Sequence, residues 1–336
     1  MNAYLATALA VVLATAGTSS AQQRTSAMHN PYRMVEDWGE LPAGVLWGAT
    51  IGIIPDSEGG AWILHRSDPP IIKLDADGRT VRAFGEGMFV QAHGFCMDRD
   101  GNLWAGDSGP FGDDPSKGGR GYQFFKFSPG GELLLTLGQA GVSKTGTGTF
   151  IAPTACAVAP NGDIFIADGH FPRPSTSQQD GDRIARFTAE GEYVGSWGAK
   201  GSGPGEFDGP HALAVDSQGR LFVADRSNNR IQVFDSNMNF IDDWHHFGRP
   251  SGVAITADDT LYESDSESGK RIAGAVRNPG WKNGVRIGSA KDGSLRAFID
   301  GTDPEGVGAD DKGNVFAGLT RAPRKSPPLL QKWVRR

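Results

Sequence analysis

Two histidines and a glutamate, His93, His211 and Glu305, stand at equivalent places in a chain that repeats itself. Two imidazoles and a carboxylate form a donor set suited to a catalytic divalent metal with one position left open for substrate. Burying Glu305 without a cation or a donor would cost several kcal/mol, on the order of the penalty for any unpaired interior charge. Arg66 offers planar donors that suit a carboxylate clamp. These residues lie far apart along the chain. They can act together only if the elements that carry them close on one another.

Those elements are legible. A unit of an apolar start, a turn with glycine or aspartate and an aromatic end recurs as FCMDRDGNLW (Phe95 to Trp104), CAVAPNGDIF (Cys156 to Phe165), LAVDSQGRLF (Leu213 to Phe222), VAITADDTLY (Val253 to Tyr262) and VGADDKGNVF (Val307 to Phe316). A looser copy is IIPDSEGGAW (Ile53 to Trp62). Two residues before each unit stand Ile51, His93, Thr154, His211, Ser251 and Glu305 in turn. Each copy continues into a second strand such as LFVAD (Leu221 to Asp225), a third such as RIQVFD (Arg230 to Asp235) and an outer one such as NFIDDW (Asn239 to Trp244). Four antiparallel strands repeated about six times predict an all-β, six-bladed β-propeller. Long parallel α/β units are excluded, because no crossover helices stand between the strands.

The last copy ends at its third strand, whereas YRMVEDWG (Tyr32 to Gly39) has an outer-strand pattern. Residues near Tyr32 to Trp38 are therefore expected to complete the final blade and cover an open strand edge. The predicted organisation is a signal peptide over 1–21, a leader over 22–30 and the propeller over 31–336. The apolar run from Tyr4 to Ala16 is too short for a comfortable membrane span, and Ser19-Ser20-Ala21 is a small–x–small cleavage site. The expectation is export to the periplasm or medium with no membrane span. Two excursions, Gly106 to Gly121 and His170 to Arg183, follow second strands, so they should rim the face that carries His93, His211 and Glu305. Loops there suit a binding site.

The 336 residues, with 48 glycines and a net charge of −6 of mixed sign, argue against nucleic-acid binding, which needs a basic face. Only Cys96 and Cys156 are present. They sit one register step apart in neighbouring copies, so strand alternation aims them at opposite faces; export permits a bond between them, but two buried free thiols are the first expectation. The strand-end aspartates Asp107, Asp168, Asp225 and Asp265 recur in most copies, which points to turn hydrogen bonding rather than catalysis. His65 is expected to pack locally, His245 and His246 to lie on the surface, and His29 to be idle.

The segment GPGEFDGPHALAVDSQGRLFVADRSNNRIQVFD (Gly203 to Asp235) resembles an NHL repeat. More narrowly, LHR (Leu64 to Arg66), AHGF (Ala92 to Phe95), PTAC followed by IFIADGH (Pro153 to His170), PHAL (Pro210 to Leu213) and VADRSNNRIQVF (Val223 to Phe234) resemble peptidyl-α-hydroxyglycine α-amidating lyase over most of the chain. That resemblance implies a six-bladed propeller with an axial zinc held by three histidines. It implies cleavage of the C–N bond of a C-terminal α-hydroxyglycine to glyoxylate and a peptide amide. His93 and His211 match two zinc ligands, and Arg66 matches the arginine that steers substrate. Glu305 falls where the third histidine belongs. His170 falls where the family has a tyrosine proposed as base; it serves as base near neutral pH or becomes an additional metal ligand. Phe95 matches a carbonyl contributor to a structural Ca2+, but Gly306 replaces the aspartate of that site.

The leading expectation is a divergent zinc-dependent lyase acting on a small-molecule or peptide substrate of carbinolamide type. A noncatalytic NHL-type propeller binding a peptide, a glycan or a protein partner is the second. A calcium-dependent lactonase-like hydrolase is the third, ranked last because histidines dominate the phase where that class uses carboxylates and asparagine. For Glu305 and the histidines, the competing reading is a water-filled axial channel lined by polar side chains, or Glu305 paired with Arg66.

Overall fold

In the computed structural model, residues 28–110, 119–170, 181–321 and 329–336 are described. The expected signal peptide and the central parts of both excursions fall outside them. The described residues form six four-stranded antiparallel sheets, arranged as the blades of a propeller. Blade 1 holds Thr50–Pro55, Ala61–His65, Ile71–Leu74 and Thr80–Phe84 from the axis outward; blade 2 holds Ala92–Met97, Leu103–Asp107, Gln123–Phe127 and Leu133–Gly138. Blade 3 is Pro153–Val158, Ile164–Asp168, Arg183–Phe187 and Tyr193–Trp197, and blade 4 is Pro210–Val215, Leu221–Asp225, Arg230–Phe234 and Phe240–Trp244. Blade 5 uses Gly252–Ile255, Thr260–Asp265, Gly284–Ser289 and Leu295–Ile299. Blade 6 uses Pro304–Ala309, Val315–Leu319 and Leu330–Arg335 and takes its outer strand from Tyr32–Val35, which pairs antiparallel with Leu330–Arg335.

Local chemistry explains the hairpins. At the turn of blade 2, the Asp98 carboxylate accepts from the N–H of Asp100 at 3.0 Å and of Asn102 at 2.9 Å, while Gly101 takes φ +81°. Asp98 also pairs with Lys126 at 3.0 Å, and Lys126 lies 5.2 Å from the centre of the Trp104 ring. Blades 1 and 4 repeat the device with Asp56–Lys73 over Trp62 and Asp216–Arg220 over Phe222, and blade 3, with Ala159 at the turn, keeps only the ion pair over the ring as Asp163–Arg186 over Phe165. The aromatic ends fill the space between blades; Trp104, Phe222 and Phe316 are fully buried. Each such ring stabilises the stack by about 2–3 kcal/mol.

Two features differ from the sequence reading. Blade 5 carries a third excursion, between its second and third strands, that folds into a two-stranded hairpin of Arg271–Ile272 and Ala275–Val276. Cys96 and Cys156 are joined in a disulfide rather than held as free thiols. The alternation argument identified the right faces and drew the wrong consequence. In a ring of stacked blades the front of one sheet packs against the back of the next, so side chains aimed at opposite faces are the ones that meet. The bond links the inner strands of blades 2 and 3.

Candidate functional site

The inner strands share an irregularity that creates the site. Register shifts occur at Thr50/Gly52, Ala92/Phe95, Pro153/Ala155, Pro210/Ala212 and Pro304/Gly306. The residues left out of the pairing are Ile51, Thr154, His211 and Glu305, and in blade 2 His93 and Gly94, which together oppose Gly106. A bulge leaves one residue unpaired and re-aims its side chain. Here the bulges turn one residue in each of five blades toward a shared axial space, which Ser251 of blade 5 also lines. Gly94 and Gly106 allow the bulge of blade 2: Gly94 takes φ +78°, and a Cβ on Gly106 would fall 2.2 Å from the His93 carbonyl oxygen.

Three imidazoles converge there. The ring centres lie 4.7 Å apart for His93 and His211, 4.8 Å for His93 and His170, and 5.3 Å for His170 and His211. One nitrogen from each of the three lies within 4.8 Å of those of the other two. His170 arrives from the end of the second strand of blade 3, and its backbone N–H donates to the Ala152 carbonyl at 3.1 Å. His93 Nδ1 donates to the Thr154 carbonyl and His211 Nδ1 to the Ser251 carbonyl, both at 2.6 Å. A carbonyl only accepts, so these bonds fix the proton on Nδ1 and leave the Nε2 lone pairs facing the cluster. His93 Nε2 is buried and has no hydrogen-bond partner.

Electrostatics keep the cluster neutral. Burial pushes His93 and His170 well below the ordinary imidazole range, and the neighbouring imidazoles push them the same way. Burial and then the Arg226 charge lower His211, against the opposing pull of Glu305. Neutral imidazoles with inward lone pairs are what a divalent metal of the zinc type requires, so this donor set fits one.

Glu305, expected as the third ligand, stands beside the imidazole cluster rather than at its third corner, which His170 occupies. Its Oε1 lies 3.2 Å from His211 Nε2 and 3.2 Å from Arg226 Nη1, and Ser266 Oγ donates to its Oε2 at 2.6 Å. Burial pushes the carboxyl up, but His211, when a proton stands on the nitrogen facing it, and then Arg226 outweigh burial and hold Glu305 well below the carboxylate range. With its Nδ1–H given to Ser251, a neutral His211 turns a lone pair toward a carboxylate oxygen. That pair calls for a proton or a metal cation between the two atoms.

Arg66, at the end of the second strand of blade 1, donates from Nε to the Ala92 carbonyl at 3.1 Å. With the Gln91 amide oriented by its hydrogen bonds, its oxygen accepts from Arg66 Nε and Nη1 at 2.6 Å. Burial lowers the guanidinium to about 10, and the nearby Glu305 charge acts in the opposite sense. Arg66 also adjoins a recess of about 250 Å³ bordered by Phe89, Val90 and Arg120. Glu305 pairs with Arg226, not with Arg66.

The sequence reading singled out neither Arg226 nor Ser266. Both follow the strand-end aspartates Asp225 and Asp265, the phase that places Arg66 after His65. A second pass through that phase finds them. The aspartates themselves are structural: Asp107, Asp168, Asp225 and Asp265 accept backbone N–H groups, and three pair with Arg183, Arg230 and Arg286. His65 bonds locally, with Nε2 2.8 Å from the Pro69 carbonyl. His29 and His245 are exposed and His246 is half-buried.

Beneath the imidazoles the inner strands line an axial channel of about 70 Å³. The calcium site implied by resemblance does not fit. A Cβ on Gly306 would fall 2.0 Å from the Ile51 carbonyl oxygen, so blade 1 closes the space that an aspartate would need.

Comparison with known proteins agrees with this architecture. The NHL repeat family matches residues 207–234. Peptidyl-glycine alpha-amidating monooxygenase A of Xenopus laevis is 31% identical over 74% of this chain, and this chain spans 25% of that protein. Peptidyl-alpha-hydroxyglycine alpha-amidating lyase 1 of Drosophila melanogaster is 31% identical over 51% of this chain and 30% of its own length. NHL repeat-containing protein 3 of Homo sapiens is 30% identical over 68% of this chain and 64% of its own length. A solved gluconolactonase from Xanthomonas campestris superimposes with a TM-score of 0.59 over 91% of this chain and 95% of its own, at 15% identity, a likeness of fold alone. No helix among the described residues is long and apolar enough to cross a membrane. The chain is a six-bladed NHL-repeat β-propeller related in sequence to the peptidyl-α-hydroxyglycine α-amidating lyases.

Proposed function

We propose that the protein is a metal-dependent lyase that cleaves the C–N bond of a carbinolamide-type substrate, an N-acyl-α-hydroxyglycine or a close analogue. The observation that carries this reading is the convergence of His93, His170 and His211 beside Glu305. His93, His170 and His211 would hold a zinc-type ion, which when bound would acidify a hydroxyl group placed against it.

The chain's own groups supply the rest. Arg66 presents a planar guanidinium to the substrate carboxylate. Glu305 takes the hydroxyl proton, the C–N bond breaks as the carbonyl of the α-oxo acid forms, and the same proton passes to the departing amide nitrogen. Arg226 and Ser266 fix the carboxylate that moves this proton. His170, placed in the imidazole cluster, is thereby assigned to metal holding rather than to proton abstraction. The disulfide suits an oxidising compartment, which agrees with export.

The test is elemental analysis of the protein as isolated, with glyoxylate release measured from an N-acyl-α-hydroxyglycine. Metal together with glyoxylate release supports the reading; a folded protein with neither overturns it. A second reading has its own support, since the chain covers 64% of NHL repeat-containing protein 3 against 30% of the Drosophila amidating lyase. A noncatalytic propeller would bind its peptide, glycan or protein partner equally well after His93→Ala and His211→Ala.

A further inference from the structure

The one disulfide of the chain joins the inner strand that carries His93 to the inner strand of blade 3. Cys96 follows His93 on the inner strand of blade 2, and Cys156 follows Thr154 on the inner strand of blade 3. These are the two strands joined by the bond from His93 Nδ1 to the Thr154 carbonyl. Between His93 and Cys96 the backbone passes through Gly94, which is at φ +78° and so close to blade 3 that a Cβ would fall 2.8 Å from the Thr154 oxygen. A glycine bulge is a soft support for a residue whose orientation matters.

The matching junctions elsewhere in the ring rely on hydrogen bonds. Thr154 Oγ1 donates to the Pro210 carbonyl at 2.7 Å between blades 3 and 4. His211 Nδ1 donates to Ser251 between blades 4 and 5, and Ser264 Oγ donates to the Glu305 carbonyl at 3.0 Å between blades 5 and 6.

We propose that Cys96–Cys156 is a positioning bond for the site: it fixes the interval between the inner strands of blades 2 and 3, and so holds His93 as the Nδ1–H tautomer with Nε2 toward the cluster. The inference rests on the metal-holding role given above to the three histidines. Two thiols in contact stand further apart than bonded sulfurs. Reduction therefore pushes the strands apart at the point where His93 needs the Thr154 carbonyl. With a water-soluble phosphine as reductant, the S–S bond breaks, the phosphine takes the oxygen of one water, and the two protons go to the sulfurs.

The experiment compares four samples of the full chain: the oxidised protein, the same protein reduced with the phosphine and desalted, Cys96→Ser/Cys156→Ser, and Val233→Ala as a destabilised control in blade 4. Zinc affinity is measured by titration with zinc alone, and the His93 tautomer by 15N NMR of the metal-free protein. The expected result is a zinc Kd raised about tenfold or more in the reduced and double-serine samples, the scale of losing a bond that orients a ligand. The His93 signals should shift from a single Nδ1–H form to a mixture. Val233→Ala should lower Tm and leave both readouts unchanged. Unchanged Kd and unchanged tautomer after loss of the disulfide would overturn the proposal, as would unfolding on reduction seen by circular dichroism. If even the oxidised protein binds no zinc, the metal reading fails, and the tautomer signal alone decides whether the disulfide positions His93.

Discussion

Two rings of repeated residues circle the axis, and they behave in opposite ways. The strand-end ring keeps one chemistry in blades 2 to 5, while His65 and Leu319 take that place in blades 1 and 6. Asp107, Asp168, Asp225 and Asp265 all accept backbone N–H groups from the preceding interblade connection. The axial ring keeps one position and changes its chemistry: Ile51, His93, Thr154, His211, Ser251 and Glu305. Repeated identity marks scaffold, because blades 2 to 5 must satisfy the same orphan backbone donors. Repeated position with varied identity marks a site, because each blade supplies a different part.

The contrast can be broken or sharpened by substitution. The largest effect is expected in the scaffold ring. Asp168→Ala strands Arg183, which is buried and donates to Asp168 at 3.1 Å and to the Thr149 carbonyl at 2.7 Å. It should lower stability by about 3–5 kcal/mol in urea denaturation, the scale of breaking a buried ion pair from one side. His211→Ala should do the reverse. Bound metal should be lost in elemental analysis and kcat should fall by about 10²–10³-fold, with a smaller change in Tm than Asp168→Ala causes. A large Tm loss with metal retained would move His211 into the scaffold class.

Arg66→Lys keeps the charge and loses the planar fork. KM for an N-acyl-α-hydroxyglycine should rise about tenfold or more, matching one charge-assisted hydrogen bond, and kcat should change less. Acid sensitivity gives a test of similar size. The folded-state pKa values of His93, His170 and His211 lie below the ordinary 6.5. The unfolded chain therefore binds protons that the folded chain does not. Stability of the metal-free protein should be full above about pH 6.5 and fall as pH drops below it, by up to about 1.4 kcal/mol per pH unit for each histidine. His170→Gln should flatten that slope in a pH series of urea melts; an unaltered slope would show that His170 titrates freely in the folded chain. The smallest effect belongs to Ser266→Ala, which removes one bond to Glu305 and should cost about 1 kcal/mol of transition-state stabilisation, read in kcat with Tm nearly constant.

The sequence by itself determined the blade and the phase. Alternation, Asp–x–x–Gly turns and aromatic strand ends are local signals, and they place His93, His211 and Glu305 on one ring and Tyr32–Val35 in the closing sheet's pattern before any contact is seen. Only the tertiary structure decided which groups meet. His170 reaches the imidazoles from a strand end rather than from a bulge, so no shared phase announces it. Arg226 meets Glu305 because blades 4 and 6 both face a narrow axis, and the hairpin of blade 5 interrupts the repeat without a pattern of its own. Cys96 and Cys156 bond because stacked sheets present opposite faces to each other. Periodicity within a strand says which way a side chain points; what it points at depends on how many blades close the circle.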